Sequence, residues 1–258
     1  MTNLFDLTGK IALVTGGSSG LGVQFAKALA RQGADVAICA RRLDRLEAVK
    51  KDVEALGVRC EAYKCDVLNI EDIKAVVAAV EADFGRIDIL VNNAGVGDTA
   101  PAEEMTDDMW NRVIGTNLSA VYFCAREVGK VMLKNGYGKI INIGSVHSEV
   151  VMSPNTWPVT AYASAKGGVK MLTKGLAAEW AGRGITVNAI GPAYFNSEMT
   201  ASILETEGAF DGVAAAYCPM KRPGLEGELD GALIYFASDA SSYTTGQLLV
   251  VDGGWTTI

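Results

Sequence analysis

Seven short runs rich in β-branched residues alternate with longer amphipathic stretches along this 258-residue chain, and that alternation leaves few folds open. The runs 11–14, 36–39, 59–64, 87–92, 139–143, 186–190 and 247–251 read as strands. Between them, 21–31, 43–56, 70–84, 107–133, 161–181 and 226–238 place apolar residues three and four positions apart, the period of one helix face. Strands separated by helices must pair in parallel through crossovers, and right-handed crossovers cover both faces of the sheet. The expectation is an α/β fold, a doubly wound parallel sheet of seven strands with helices on both faces, forming one domain over residues 1–258. With 49% hydrophobic residues the chain can bury the core such a sheet needs. The stretch 194–220 is too long for an ordinary connection and is expected to be a substrate loop or lid.

The charge balance narrows the function. A net charge of −7 with no basic run argues against nucleic acid or an anionic membrane as partner and leaves a small-molecule substrate. Residues 1–10 lack the charged-then-apolar pattern of a signal peptide, and no apolar run approaches spanning length, so a cytoplasmic location is expected. The five cysteines show no CxxC spacing and lie mostly in apolar runs; buried free thiols are expected, and no metal.

The first strand runs into Thr15-Gly16-Gly17-Ser18-Ser19-Gly20-Leu21-Gly22 and then into a helix. Glycine at such a turn lets backbone approach a pyrophosphate held at a helix amino terminus, as in a Rossmann-type dinucleotide site. Sites that bind NAD place a carboxylate on the ribose about 20 residues further on. Here that place reads Cys39-Ala40-Arg41-Arg42. Two guanidiniums suit a ribose phosphate, so NADP(H) is expected as cofactor, against the alternative that Arg41 and Arg42 are a solvated helix start. Downstream, Tyr162 and Lys166 stand four apart, on one face of a helix. A cation beside the phenol is expected to favour phenolate, which a tyrosine with an ordinary pKa near 10 needs if it is to exchange protons near neutrality.

With TGxxxGxG, Asn92-Asn93-Ala94-Gly95, Asn117, Ser145 and YxxxK in hand, the chain resembles the short-chain dehydrogenase/reductase family from about Leu7 to Gly254. The resemblance implies hydride transfer between NADP(H) and a secondary alcohol or ketone, with Asn117, Ser145, Tyr162 and Lys166 as catalytic tetrad. It implies cofactor contacts from Gly16, Ser18, Ser19, Leu21, Asp66, Val67, Asn93, Tyr162 and Lys166, with Phe195 and Ser197 near the nicotinamide end. It also implies a homotetramer built through 107–133, 161–181 and 250–258. Two departures stand out: the loop between Ser145 and Tyr162 carries an apparent insertion around 151–160, and Ala193 replaces a customary glycine after Pro192.

Within the family the chain is similar to gluconate 5-dehydrogenase-like and polyol or ketose reductases, through 145–149, 166–173 and 194–200. A sugar acid needs a cation for its carboxylate. The stretches 95–111, 144–161 and 192–220 contain no lysine or arginine, so a neutral sugar alcohol, ketose or similar polar ketone is expected. Candidate substrate residues are His147, Glu149, Trp157 and Tyr194. A hydroxysteroid is the alternative, through the apolar Val150, Val151, Met152, Trp157, Tyr194, Phe195 and Met199; a 3-oxoacyl thioester and a non-catalytic dinucleotide-binding module are further ones.

Overall fold

The seven expected strands form β1 (Ile11–Thr15), β2 (Asp35–Ala40), β3 (Cys60–Lys64), β4 (Ile89–Asn92), β5 (Gly138–Ile143), β6 (Ile185–Pro192) and β7 (Leu248–Val251). The computed structural model describes residues 3–152 and 158–257. Every pairing is parallel, in the order β3-β2-β1-β4-β5-β6-β7. The chain winds outward in opposite directions from the β1/β4 pair, so the crossovers diverge there and leave a crevice beyond the strand ends.

The strands are apolar along their whole length because both faces are covered. In β1, Ala12 and Val14 point into one core and Ile11 and Leu13 into the other, the alternation of a pleated strand. The first core is closed by α1 (Gly20–Arg31), α2 (Leu43–Glu54) and α9 (Asp230–Ala237), through Phe25, Leu29, Leu46 and Leu233. The second is closed by α3 (Ile70–Phe84), α5 (Ala120–Asn135) and α6 (Thr160–Trp180), through Ile73, Val80, Met132 and Trp180. A buried polar chain ties this face to the sheet: Asn92 Nδ2 donates to Asn142 Oδ1 at 2.9 Å, Asn142 Nδ2 donates to Thr173 Oγ1 at 3.0 Å, and Thr173 donates to the Val169 carbonyl at 2.8 Å.

Two helices differ from the periodic pattern. The stretch 107–133 is not one helix: α4 (Asp107–Ile114) and α5 are separated by a π turn, Gly115–Ser119. A single π turn shifts the apolar repeat by about one residue, too little to divide it into two helices in the sequence, and it coincides with a long-range contact described below. The last helix starts at Asp230, and Glu228, the third residue of the expected span, turns away. Its carboxylate accepts from the Leu225 N–H at 2.8 Å and from both terminal nitrogens of Arg222, at 2.8 and 2.7 Å. The segment 194–220 folds into short α7 (Ala201–Leu204) and α8 (Ala209–Tyr217) beside the crevice. Ala193 adds no strain: its N–H donates to the Val251 carbonyl at 3.2 Å, and Lys221 is the non-glycine residue with positive φ among the described ones.

At Gly22, a Cβ would lie 2.2 Å from the Gly16 carbonyl oxygen, so α1 rests on the preceding turn with no room for a methyl. Gly22→Ala is expected to destabilise the fold by about 1–3 kcal/mol, seen as a Tm lower by several degrees in thermal unfolding, because backbone on backbone cannot yield as side chains do.

Candidate active site

The glycine turn leaves β1 with Gly16 at φ +68° and Gly20 at φ +53°, conformations that favour glycine. It is clamped from β4. Thr15 Oγ1 accepts the Asn93 and Ala94 N–H groups at 3.0 and 3.1 Å, and Asn93 Nδ2 donates to the Thr15 and Gly16 carbonyls at 3.0 and 3.3 Å. No side chain caps the first turn of α1, whose N–H groups therefore face the crevice. A cleft of about 300 Å³ opens there. Gly16, Ser18, Ser19, Leu21, Arg41, Arg42, Asp66, Val67, Asn93, Phe195 and Ser197 all line it, together with Ser145, Tyr162 and Lys166. An uncapped helix start, a turn no larger residue can form and a pair of guanidiniums at one end are the donor set a phosphorylated dinucleotide requires.

At the other end, β5 delivers Ser145 and α6 delivers Tyr162 and Lys166. Ser145 begins a 3₁₀ turn, Val146–Ser148, and its hydroxyl accepts the His147 N–H at 3.1 Å. Ser148 donates to the Lys166 carbonyl at 2.8 Å, which fixes this turn against α6. Lys166 is 3% exposed, and its Nζ donates to the Ile143 carbonyl at 2.7 Å, 5.6 Å from the centre of the Tyr162 ring. Burial away from water pushes its pKa down to about 8. Tyr162 is raised above its ordinary value by burial, against the lowering effect of a hydrogen bond with Ser145. Desolvation thus outweighs any lowering of the phenol by Lys166, whose ammonium is directed at a carbonyl.

Asn117 lies in the π turn, fully buried and outside the cleft. Its Oδ1 accepts the Val96 N–H at 2.9 Å and its Nδ2 donates to the Val96 carbonyl at 2.8 Å. This two-way bond draws the helix to the loop after β4, and the π turn accommodates it.

The candidate substrate residues do not converge. His147 is buried, and its Nδ1 lies 3.0 Å from the Val150 carbonyl, which can only accept, so Nδ1 carries the proton; its ring meets that of Tyr162 edge-on at 6.1 Å. Glu149 is bound by Lys170 at 2.7 Å and does not line the cleft. Tyr194 stacks on Trp255 at 5.5 Å and lines a neighbouring cavity of about 290 Å³. Trp157 lies outside the described residues.

Two basic residues near the cleft, Arg112 and Arg45, carry no signal in the sequence motifs. Arg112, one position past the stretch 95–111, lines the cleft and pairs with Asp98. Arg45 and Arg42 both bind Glu198, a residue far away along the chain. Arg45 stands three positions after Arg42, whereas nothing local marks Glu198 as the partner of either.

A family profile described as enoyl-(acyl carrier protein) reductase matches residues 16–256. The chain is 42% identical over 254 residues to a gluconate 5-dehydrogenase of Gluconobacter oxydans, covering 98% of this chain and 97% of that one. The chain belongs to the short-chain dehydrogenase/reductase family. It is 39% identical to a sorbose reductase of Candida albicans, covering 98% and 89% of the two chains. A gluconate 5-dehydrogenase from Burkholderia cenocepacia, crystallised with NADP and tartrate, superposes with a TM-score of 0.93 at 38% identity, covering 99% and 98%. As a member of this family, the chain is an oxidoreductase acting on CH–OH groups. Among the described residues no helix is long and apolar enough to cross a membrane, no group of three His, Cys, Asp or Glu could hold a metal, and all five cysteines are buried and free.

His147 offers a direct reading of the site's packing. Burial lowers its pKa below the ordinary 6.5, so the unfolded chain binds a proton first as pH falls. Stability should therefore decline as pH drops below about 6.5. Since this is the sole histidine, His147→Gln should flatten the change in urea midpoint between pH 7.5 and pH 5.5.

Proposed function

We propose that this short-chain dehydrogenase/reductase interconverts a secondary alcohol and a ketone with NADP(H), on a neutral sugar alcohol, ketose or similar polar ketone. The observation that carries the reading is the meeting of Ser145, Tyr162 and Lys166 in one cleft with the glycine turn and Arg42. Bound NADPH supplies the hydride. Tyr162, protonated at neutral pH, donates its phenolic proton to the ketone oxygen as the alcohol forms. Ser145, already hydrogen-bonded to that phenol, donates to the same oxygen and holds the carbonyl in line. Lys166 keeps a positive charge behind the phenol, which stabilises phenolate after the proton leaves. Asn117 positions the loop after β4 through its paired bonds to Val96.

The neutral-substrate reading is supported by charge accounting in the cleft. Its lining cations are Arg41, Arg42, Arg112 and Lys166. Arg42 is bound to Glu198, Arg112 to Asp98, and Lys166 lies behind the phenol; Arg41, beside Arg42 on the nucleotide side, is the lining cation without an ion pair among the described residues and belongs with the ribose-phosphate donors, which leaves the Ser145 side without a cation for a carboxylate. The relatives named for sorbose and for gluconate bracket the question. Self-assembly is part of the proposal: Trp110 on α4, Tyr122 on α5, Met171 on α6 and Leu249 on β7 are 40%, 39%, 63% and 41% exposed, apolar surface that partner copies would cover.

Turnover with NADPH is expected on ketoses, with weaker activity on keto sugar acids and steroid ketones; a preference for keto acids would overturn the neutral-substrate assignment. Tyr162→Phe should cut kcat by about 10²–10⁴-fold while leaving NADPH binding, followed by fluorescence titration, unchanged. Because Lys166 must stay protonated and its pKa is about 8, kcat/KM for ketone reduction should fall as pH rises through about 8.

A further inference from the structure

Glu198 makes an unusual set of contacts for a loop carboxylate. Its Oε1 accepts from Arg42 Nη1 at 3.1 Å and from Arg45 Nη1; its Oε2 accepts from Arg42 Nη2 at 2.9 Å and from Ser19 Oγ at 3.2 Å. Arg42 Nη2 also donates to Ser19 Oγ at 3.0 Å. Resting on the NADP(H) reading above, we propose that Glu198 is an internal stand-in for the ribose 2′-phosphate. It holds Ser19, Arg42 and Arg45 in the nucleotide-free protein, and the phosphate displaces it, which unlatches the segment between Phe195 and α7.

The geometry supports this in three ways. A guanidinium fork gripping two oxygens is the arrangement that carboxylate and phosphate share, so one set of donors serves either anion. The loop lies over the nucleotide turn: a Cβ on Gly20 would be 3.2 Å from the Ser197 side chain. Carboxylate and phosphate cannot both occupy that corner, since like charges at such range repel. And the latch is built to be weak. The side chains of Arg42, Arg45 and Glu198 are 40%, 49% and 55% exposed, so water screens each pair. A phosphate brings up to two charges and three acceptor oxygens where Glu198 brings one charge and two. The two guanidiniums hold the Glu198 pKa down to about 2, so its charge persists at any working pH and a competing anion, not a proton, releases it.

Movement at Glu198 has a defined path. Phe195 is buried against Gly224 and anchors one end. Between them, the Ser197 and Thr200 hydroxyls lie 2.9 Å apart, and Thr200 Oγ1 donates to the Phe195 carbonyl at 2.6 Å just before α7. Displacing Glu198 removes the bonds that tie this segment to Ser19, Arg42 and Arg45, while the Ser197–Thr200 and Thr200–Phe195 bonds persist as the hinge. The proposal also makes Arg45 a determinant of cofactor choice alongside Arg42.

The test compares adenosine 2′,5′-bisphosphate with adenosine 5′-monophosphate by calorimetry on wild type and Glu198→Gln. Without the competitor, the variant should bind the bisphosphate about tenfold tighter and the monophosphate within about twofold. A selective wild type with no gain in Glu198→Gln would overturn the latch alone. Two proteins that bind both ligands alike would overturn the NADP(H) reading and the latch with it. In amide hydrogen exchange of wild type, residues 198–204 should exchange several-fold faster with saturating bisphosphate than with monophosphate; equal rates would overturn the release.

Discussion

The exchange of hydrogen bonds between Thr15 and Asn93 underlies the rest of this structure. It joins the carboxyl ends of β1 and β4, the two strands from which the chain winds apart, and so sets the floor of the crevice. Four side-chain bonds close there on backbone groups at the ends of the two strands. With that floor in place, the uncapped start of α1 faces one end of the cleft, and β5 and α6 bring Ser145, Tyr162 and Lys166 to the other. The clamp is local chemistry with a global effect, because a turn free to flex would present neither end reliably.

Desolvation governs the two titratable groups that α6 brings to the cleft. Lys166 and Tyr162 are both driven toward their neutral forms, the lysine down and the tyrosine up. A buried ammonium that can lose its proton near pH 8 and a phenol that keeps its own suit an enzyme whose acid must be protonated before the ketone arrives. The cationic help that a four-residue spacing promised is a matter of position more than contact. Lys166 lies on the same helix face as Tyr162, yet its proton is directed at the Ile143 carbonyl. Spacing tells which groups share a face; the dielectric around them decides what they do.

Most of the fold was legible because parallel strands covered on both sides must be apolar throughout, and helices covering them must be apolar on one side. Every expected strand matches an observed one to within a few residues. The nucleotide cleft was legible for a related reason: glycines at a turn and uncapped helix starts are local requirements, carried by consecutive residues, and the residues expected at the cofactor all line one cleft. The substrate side was not. His147 and Glu149 are polar residues near Ser145, but one bonds the Val150 carbonyl and the other Lys170, partners that polarity alone does not foretell.

What the sequence alone determined is whatever depends on period and adjacency: the doubly wound sheet, the glycine turn, and Tyr162 and Lys166 on one helix face. What only the tertiary structure decided is the pairing of charges across the fold and the break in a continuous helix. Glu198 reaches Arg42 over 156 positions of chain, Asp98 neutralises Arg112, and Asn117 opens a π turn by binding Val96. Periodicity reports which face of an element is apolar, a property of neighbours in sequence. Ion pairs and buried amides are completed by groups that meet only after the chain has folded, so their partners carry no local signature.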